Sequence, residues 1–343
     1  MTRLIVVEPG PPAVAALVID GRLEDLLVDP PAEDQTPRIE EVHRVRVRRV
    51  AAKQGGAHVK LVGGAKGFLR EAKGLAEGDL VVAQVSGHAE PGKPAPLTPR
   101  RLHRGRYAIL TPQAPGVNVA RSIRDEAERA RLASIGAARI GEDGPGLILR
   151  SAAVGAAEDE IAEDLDDLLA LEAACAAEGA PALLTEAPGA EATAWREWGD
   201  PDELVREAGA FERVGLWDEV DRLRRPRVEL VGGGWMSVEP TSALVAVDVN
   251  TAGDLSHDAA AKANRAACLD LPRQLRLRGL GGQIAVDFAP MRKNDRKAVE
   301  SLLKRAFASD PVQTTLAGWT PLGSFEMLRK RERRPFSEVA PDA

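Results

Sequence analysis

Two short apolar segments in the C-terminal part of the chain each carry an acid close to their end. Ala243–Asn250 reads ALVAVDVN and Gly281–Phe288 reads GGQIAVDF, so the acids are Asp248 and Asp287. Runs of Val, Ile and Ala predict buried strands, in which an unpaired carboxylate is costly. Taken singly, either acid is explained equally well as a turn or capping residue. Two carboxylates side by side on neighbouring strands would instead need a divalent cation, and oxygen ligands suit Mg²⁺, with Mn²⁺ as the alternative.

The segment between these strands predicts that they are parallel. Ser256–Arg278 has Ala, Leu and Cys at helical spacing and is followed by Gly279 and by Gly281–Gly282, which is a typical helix stop. A strand, a helix and a second strand form a crossover, with the two strands adjacent or separated by another strand. We therefore expect both acids at the C-terminal edge of one sheet, where open α/β sheets bind ligands.

Shorter alternating segments predict β structure nearer the N-terminus. Alternation of apolar and polar residues with Gly pairs at the turns covers Ile39–Ala72, and Leu80–Gly87 adds another strand. Short strands with glycine corners indicate a small barrel. Before this barrel, an Asp20-Gly21 hairpin turn lies among strand-like segments at Leu4–Val7, Val14–Ile19 and Leu23–Val28.

The composition fits a water-soluble enzyme of several modules. A chain of 343 residues with 44% hydrophobic content can bury more than one core. No apolar run approaches a membrane span, and prolines interrupt the N-terminus too early for a signal peptide, so we expect a cytoplasmic protein without membrane contact. Cys175 and Cys268 form no CxxC pair, which argues against a disulfide framework or a cysteine metal site.

The net charge of −6 conceals a strong segregation of charge along the chain. Arg38–Arg106 holds 15 Lys and Arg against 6 Asp and Glu, and Lys262–Arg305 holds 11 against 4. Ser151–Asp200 is acidic, with 1 against 13. Runs of like charge also occur on solvated faces. The second basic segment, however, surrounds Asp287, one of the two acids, and a site for a polyanionic substrate would require such positive charge around it.

Longer blocks of sequence resemble the catalytic part of the bacterial ribonuclease E/G family. They are Thr241–Asn250, RQLRLRGLGGQIAVDF at Arg273–Phe288, RKAVESLLKRAFASD at Arg296–Asp310 and LGSFEMLRKR at Leu322–Arg331. The resemblance weakens toward the N-terminus. It implies that Asp248, Asn250 and Asp287 form a catalytic Mg²⁺ site, in which the two aspartates hold the metal.

The resemblance also implies a fold class and an order of domains. The fold would be α/β, of the α+β multidomain type, with a ribonuclease-H-like and deoxyribonuclease-I-like catalytic core and an inserted OB-type RNA-binding β-barrel. The reduced ribonuclease-H-like subdomain would comprise N-terminal strands in 1–36 and a remainder in 201–238, with Trp217 and Trp235 as core residues. The barrel would cover 37–106, a 5′-phosphate sensor region 107–200, and the metal-dependent catalytic subdomain 239–343.

Several residues are candidates for contacts with single-stranded RNA. The family's barrel implies that Phe68 stacks on a base, although a core Phe is an equal alternative. His58 stands where the family commonly has an aromatic residue, and its imidazole offers less area for stacking. Phosphate contacts are expected for Lys93 and, unless they simply face solvent, for three arginines of the predicted helix: Arg273, Arg276 and Arg278.

Two further motifs bear on phosphate recognition. GLILRSAAVG at Gly146–Gly155 resembles the family's pocket for an RNA 5′-monophosphate, with Arg150 and Ser151 as the binding pair; the alternative is an ordinary surface Arg. Gly87–Pro94, GHAEPGKP, has the GxxxxGK spacing of a P-loop. However, Pro94 lacks the hydroxyl and the N–H group that a P-loop needs, so we do not expect a nucleoside triphosphatase.

The C-terminal residues depart from the family. The family has a CPxC segment there that shares zinc with a second subunit, whereas this sequence has no Cys after Cys268. We therefore expect no zinc, and either a monomer or a dimer that is not linked by zinc.

The residues favour a Mg²⁺-dependent endoribonuclease that hydrolyses single-stranded RNA in RNA processing or decay. The alternative is a non-catalytic or weakly active RNA-binding relative of the same family. Retention of both acids and Asn250 favours the enzyme, because paired carboxylates near a phosphate do not help a protein that only binds RNA. The histidines form no spaced pair, which argues against a metal-free ribonuclease.

Overall fold

Alternating apolar residues form the N-terminal strands in the computed structural model, which describes residues 1–89, 92–141, 144–253 and 258–340. These strands are β1 (Arg3–Glu8), β2 (Val14–Ile19) and β3 (Arg22–Val28), and they pair antiparallel in chain order. The predicted turn joins β2 to β3, with positive φ angles at Asp20 and Gly21. Two compact units make up the chain: Met1–Ala32 with Pro201–Ala343, and Glu33–Asp200.

The contiguous unit, Glu33–Asp200, begins with the predicted barrel. Its strands are β4 (Val42–Ala51), β5 (Gly56–Lys60), β6 (Lys66–Arg70), β7 (Leu80–Val85) and β8 (Ala95–Thr98). They are ordered β4-β5-β6-β8-β7, and pairing of β4 with β7 closes the barrel. The interior is filled by alternate apolar residues such as Val45, Val59, Leu69 and Leu97. Residues Glu90–Pro91 of the P-loop-like segment lie outside the described residues.

A second sheet in this unit packs against two helices. Its strands are β9 (His103–Arg104), β10 (Ala108–Thr111), β11 (Val117–Val119) and β12 (Gly146–Leu149), ordered β11-β12-β10-β9. The helices are α1 (Glu126–Ile140) and the acidic α2 (Glu158–Ala176), which buries Ile161, Leu165 and Leu168. The unit ends with β13 (Ala182–Thr185), paired to β4, and α3 (Ala190–Trp198).

The discontinuous unit completes the N-terminal sheet from distant sequence. β14 (Glu203–Arg206) pairs in parallel with β1, so that the sheet is ordered β14-β1-β2-β3. Two short helices follow, α4 (Ala210–Val214) and α5 (Trp217–Arg222). The core under this sheet joins Val6 to Phe211, Leu277 and Phe336, so it is built from both ends of the chain.

A six-stranded sheet forms the rest of this unit. Its order is β15-β16-β17-β18-β20-β19, and its strands are β15 (Arg227–Glu229), β16 (Trp235–Pro240), β17 (Val245–Asn250), β18 (Gly282–Asp287), β19 (Thr314–Trp319) and β20 (Phe325–Arg329). The helices are α6 (Ala259–Leu277), α7 (Arg296–Ala308) and α8 (Phe336–Val339). The predicted crossover is correct: α6 connects β17 to β18, and these strands are directly adjacent and parallel. Among the described residues no helix is long and apolar enough to span a membrane.

Candidate active site and RNA-binding surfaces

The two acids singled out by the sequence lie side by side on the open face of the six-stranded sheet. Asp248 and Asp287 are register partners across the parallel β17–β18 ladder, where neighbouring strands are about 4.8 Å apart. Both side chains are exposed, because alternation along each strand directs valines such as Val247 and Val286 into the core. The acids therefore avoid the cost of burying an unpaired carboxylate. Their expected placement in one parallel sheet is confirmed, with the two strands directly adjacent.

Asn250 completes this cluster from the same strand. It is two residues from Asp248, so both side chains project from the same face of β17, and the Asn250 Nδ2 group donates a hydrogen bond to Asp248 Oδ2 at 2.6 Å. Neither aspartate forms an ion pair with a Lys or Arg of the described residues. The result is a pair of adjacent carboxylates with an amide beside them, and none of the Lys or Arg side chains that the structure describes neutralises the pair.

The donor set of this cluster fits a hard divalent cation. Mg²⁺ commonly uses one or two carboxylates and keeps several waters in its coordination shell. Over the described ranges no group of three or more His, Cys, Asp and Glu side chains is arranged to hold a metal. Asp248, Asp287 and the Asn250 carbonyl therefore suit Mg²⁺ better than zinc, which prefers a closed set of nitrogen or sulfur ligands.

A buried asparagine on α6 fixes the chain just beyond Asp287. Asn264 is 2% exposed; its Nδ2 donates to the Ala289 carbonyl and its Oδ1 accepts from the Ala289 N–H, both at 2.9 Å. Because Ala289 is two residues after Asp287, this pair of bonds holds the exit from β18 against the helix. Asn264 was missed at the sequence level, since an Asn within a helix carries no signal of such a distant partner.

Trp235 lies on the open face next to Asn250 and not in the core, so the prediction for this residue is wrong. It is the register partner of Asn250 across β16 and β17, it is only partly buried, and the Arg227 guanidinium lies 4.7 Å from its ring centroid. Its neighbour Met236 takes the core position. Trp217, by contrast, packs against the core of the N-terminal sheet, as expected.

The three arginines predicted to contact phosphate lie at the C-terminal end of α6, where Arg273 and Arg276 belong to the helix and Arg278 follows it directly. All three are engaged within the unit, a placement that does not fit the predicted phosphate contacts. Arg273 donates to Asp270 and to the Leu23 carbonyl. Arg276 donates to Asp310 at 2.6 Å and to the Glu24 carbonyl at 2.8 Å.

Arg278 is 5% exposed and donates to Gln274 and to the Arg225 carbonyl. Each guanidinium group of the three thus already has carboxylate or carbonyl partners. We assign Arg273 and Arg276 the structural role of fastening α6 to β3.

The barrel displays a basic face that includes both aromatic candidates. Phe68 and His58 are register partners on β6 and β5, are partly buried, and contact each other edge to face with their ring centroids 5.3 Å apart. Phe68 is outside the barrel core, and the absence of a side chain at Gly56 lets its ring lie close to β5.

Cationic side chains surround this aromatic pair. Arg49 is the partner of His58 across β4 and β5, and the adjacent row pairs Arg46, Lys60 and Lys66. Lys93 is also exposed, at the border of the undescribed residues. This arrangement of rings and cations is suited to single-stranded nucleic acid.

The two residues predicted to bind a 5′-phosphate do not face the same space. Arg150 donates to the Gly105 carbonyl and pairs with Glu197. Burial acts to raise the pKa of Glu197, but the charges of Arg150 and Arg196 outweigh it and hold the pKa below its usual range. Arg150 is thereby held as half of an ion pair.

Ser151 instead lines an open cavity of about 700 Å³ together with Arg124 and Arg131, and Arg150 is not among the lining residues. Arg131 is paired with Glu128 at 2.7 Å. Arg124 is exposed at the same cavity, so it is the cation best placed to act with Ser151.

Both cysteines are buried and free. Burial raises the pKa of the Cys268 thiol to about 12, so this thiol stays protonated at neutral pH. Neither position is suited to coordinate zinc at a surface.

The sequence model of the ribonuclease E/G family matches residues 103–203 and 202–332. Ribonuclease E of Nostoc sp. is 31% identical over 312 residues, which are 78% of this chain and 45% of that protein. Ribonuclease G of Salmonella typhimurium is 31% identical over 303 residues, 77% of this chain and 62% of that protein. Ribonuclease G of Escherichia coli strain K12 is 30% identical over the same length, with the same coverage.

The chain spans about half to three fifths of the length of these relatives. The family match covers most of the chain, including β17, α6 and β18, which carry the acid pair and Asn250. The chain belongs to the ribonuclease E/G family.

Proposed function

We propose that this protein is a Mg²⁺-dependent endoribonuclease that hydrolyses single-stranded RNA, with a role in RNA processing or decay. The observation that carries the proposal is the pairing of Asp248 with Asp287 on one open sheet face, beside Asn250 and without an ion pair to any described Lys or Arg. Two adjacent carboxylates repel each other, and a divalent cation held by both would relieve that repulsion. The names of the relatives, ribonuclease E and ribonuclease G, support the same activity.

The proposal extends to the fold and setting of the protein. In it, the six-stranded sheet with its helices is the deoxyribonuclease-I-like catalytic subdomain, and the β14-β1-β2-β3 sheet is a reduced ribonuclease-H-like subdomain. The barrel is of the OB type. The protein acts in the cytoplasm and uses no zinc, as a monomer or a dimer that is not zinc-linked.

The residues of the site have two roles, which are to bind the metal ion and to orient the groups beside it. Asp248 and Asp287 would hold Mg²⁺, or Mn²⁺ in its place. When bound, the metal supplies an activated water and offsets negative charge at the phosphoryl oxygens. The hydrogen bond to Asp248 fixes the Asn250 amide, which leaves the Asn250 carbonyl as a neutral oxygen donor. Trp235 offers a ring beside Asn250 for the base of an adjacent nucleotide.

The metal proposal is tested by cleavage of a 5′-monophosphorylated single-stranded oligoribonucleotide with and without Mg²⁺. Asp248→Asn and Asp287→Asn should each abolish Mg²⁺-dependent cleavage while leaving RNA binding in place. Glu239→Gln is the matched control. Glu239 is exposed on β16, on the sheet face that carries Asp248, and its register partner on β17 is Ala246. The substitution therefore removes one negative charge from this face without changing the acid pair. Full cleavage by either aspartate variant would refute the two-carboxylate site and leave the non-catalytic RNA-binding relative as the better account.

The 5′-phosphate preference is a separate part of the proposal. If Ser151 and a nearby cation bind a terminal phosphate, the wild type should cleave 5′-monophosphate RNA faster than 5′-hydroxyl RNA. Arg124→Ala should then remove the preference, whereas Arg150→Ala should leave it, since Arg150 is paired with Glu197. Loss of the preference in Arg150→Ala alone would restore the pair predicted from the sequence. Equal rates on both RNAs with the wild type would exclude a sensor.

A further inference from the structure

A cavity of about 450 Å³ in the discontinuous unit has five arginines among its twelve lining residues. It lies among β3, α5, β15 and the C-terminal part of α6. The wall contains two glutamates, Glu219 and Glu229, and five arginines: Arg222, Arg225, Arg227, Arg273 and Arg278. The charged side chains of the wall therefore carry a net positive charge. The volume of the cavity is typical of pockets that bind a small ligand.

Three of the five arginines are neutralised by carboxylates. Arg222 pairs with Glu219, Arg227 pairs with Glu229, and Arg273 pairs with Asp270. Arg225 and Arg278 form no ion pair with the described Asp and Glu residues. These two guanidinium groups are the surplus charge of the cavity.

Arg278 is the more unusual of the two because it is buried. It is 5% exposed, and within the part of the chain that the structure describes its side chain donates to two neutral groups, the Gln274 side chain and the Arg225 carbonyl, the latter at 3.0 Å. Burial, aided by the charge of Arg273, lowers its pKa to about 10 against the opposing effect of Asp270. The group is still protonated at neutral pH. A buried cation without a paired anion is costly, and an anion in the cavity would remove that cost.

The cavity is far from the acid pair. Asn264, near the start of α6, contacts the chain just after Asp287, whereas Gln274 and Arg278 lie at the other end of the helix. Arg278, which caps the helix, lies fourteen positions after Asn264, and this corresponds to about 20 Å along the helix axis. An anion in this cavity would not contact the proposed catalytic site.

We propose that this cavity binds a phosphate group carried by a nucleotide, with Arg225 and Arg278 as its ligands. Guanidinium groups recognise phosphate through charge-assisted hydrogen bonds. Apolar residues of the same wall, Leu23, Leu223, Val228 and Leu277, provide surface for a base or sugar. The nucleotide is either free in solution or part of an RNA chain bound elsewhere on the protein.

The binding test uses 5′-AMP as the probe, with adenosine and matched sodium chloride as controls. EDTA is present, so that metal-dependent capture of phosphate at Asp248 and Asp287 does not contribute. Millimolar AMP should raise the melting temperature of the wild type by about 2–4 °C, because a ligand of the folded state stabilises it by mass action. Adenosine should raise it less. No shift with AMP, or an equal shift with adenosine, would overturn the proposal.

Variants locate the effect within the molecule. Arg225→Ala removes an exposed guanidinium that has no ion pair, so the fold should be retained, and AMP affinity should fall at least tenfold. Arg213→Ala is the matched control: Arg213 is exposed, pairs with Glu207 and is outside the cavity. It should bind AMP as the wild type does. Equal AMP affinity in the wild type and Arg225→Ala would overturn the assignment to this cavity.

A second arm distinguishes the source of the phosphate, using a 5′-hydroxyl single-stranded oligoribonucleotide in EDTA. If the phosphate belongs to RNA, Arg225→Ala should weaken binding of the oligonucleotide and reduce the salt dependence by about one phosphate contact. If the ligand is a free nucleotide, Arg225→Ala should lose AMP binding and keep RNA binding. Both results support the cavity and neither depends on cleavage, so the inference can fail or stand independently of the proposed ribonuclease activity.

Discussion

Asn264 provides the most direct test of how the fold positions the acid pair. Replacing it with leucine, of similar size, removes both hydrogen bonds to Ala289 and leaves a buried N–H and a buried C=O without partners. Ala289 is 3% exposed, so water cannot readily take over these bonds. Each buried unsatisfied group costs about 1–3 kcal/mol, and we therefore expect Asn264→Leu to lose about 2–6 kcal/mol of unfolding free energy, from two such groups.

The same substitution should impair the site through Asp287. If the β18 exit shifts, the two carboxylates no longer hold a cation at their original spacing, so the Mg²⁺ concentration for half-maximal cleavage should rise. RNA affinity measured in EDTA should stay at the wild-type value. This combination separates a positioning role from general destabilisation, which would lower the active fraction without changing the Mg²⁺ dependence.

Urea unfolding and Mg²⁺ titration of cleavage measure the two effects. Gln283→Leu is a suitable control. Gln283 is exposed on β18, the strand that carries Asp287, and its side chain makes no hydrogen bond among the described residues. This substitution introduces a leucine without breaking such a bond. A wild-type unfolding midpoint in Asn264→Leu would refute the energetic reasoning. An unchanged Mg²⁺ dependence in a folded Asn264→Leu variant would refute the positioning role.

Three further predictions address other contacts. Burial acts to raise the pKa of Asp270, but its bonds and charge interactions with Arg273 and Arg22 hold the pKa below the usual range. The ionised Asp270 therefore stabilises the folded protein. That contribution is fully present above the unfolded-state pKa near 4 and is lost as pH falls through the lower folded-state pKa. Asp270→Asn should therefore cost about 3 kcal/mol at pH 7 and progressively less on acidification, as thermal melts from pH 7 to pH 3 would show; a constant difference would contradict it. Arg276→Ala should destabilise the protein by breaking its bond to Asp310 yet leave RNA affinity unchanged in filter binding, and a selective loss of RNA affinity would restore the contact predicted from the sequence. Trp235→Leu and Phe68→Ala should each weaken RNA binding by about 1–3 kcal/mol per stacked base, measured by fluorescence anisotropy, with wild-type affinity in both variants counting against stacking.

Local pattern was sufficient to predict that both acids lie at one edge of a parallel sheet. The apolar runs of β17 and β18, the helical spacing of α6 and its glycine stop are all contained in short stretches, and together they predict a crossover between parallel strands. The sequence left open whether another strand lies between them, and the structure shows that Asp248 and Asp287 are direct neighbours. The barrel followed from the same kind of information. Short strands with glycine corners predict a small barrel, and the structure closes this barrel by pairing β4 with β7.

Contacts between distant residues could not be predicted in this way. Arg276 looked available for phosphate, yet its partner Asp310 is 34 residues away along the chain. Trp235 and Met236 are neighbours of similar apolar character, and only the strand register decides which of them faces the core. Arg150 and Ser151 are likewise adjacent in sequence, but the chain turns from β12 into a short 3₁₀-helix between them, which separates their surroundings.

The discontinuous unit also has a consequence for synthesis on the ribosome. Glu33–Asp200 is contiguous, so all of its strands are available once that stretch has emerged, and it can fold while translation continues. The N-terminal strands cannot complete their sheet and core at that stage. β1 gains its parallel neighbour only at Glu203–Arg206, and the core beneath it is completed by Leu277 and Phe336. Until then Val6 and Ala16 are not covered by their later core partners, and the unfinished N-terminal strands expose apolar surface of the kind that promotes aggregation.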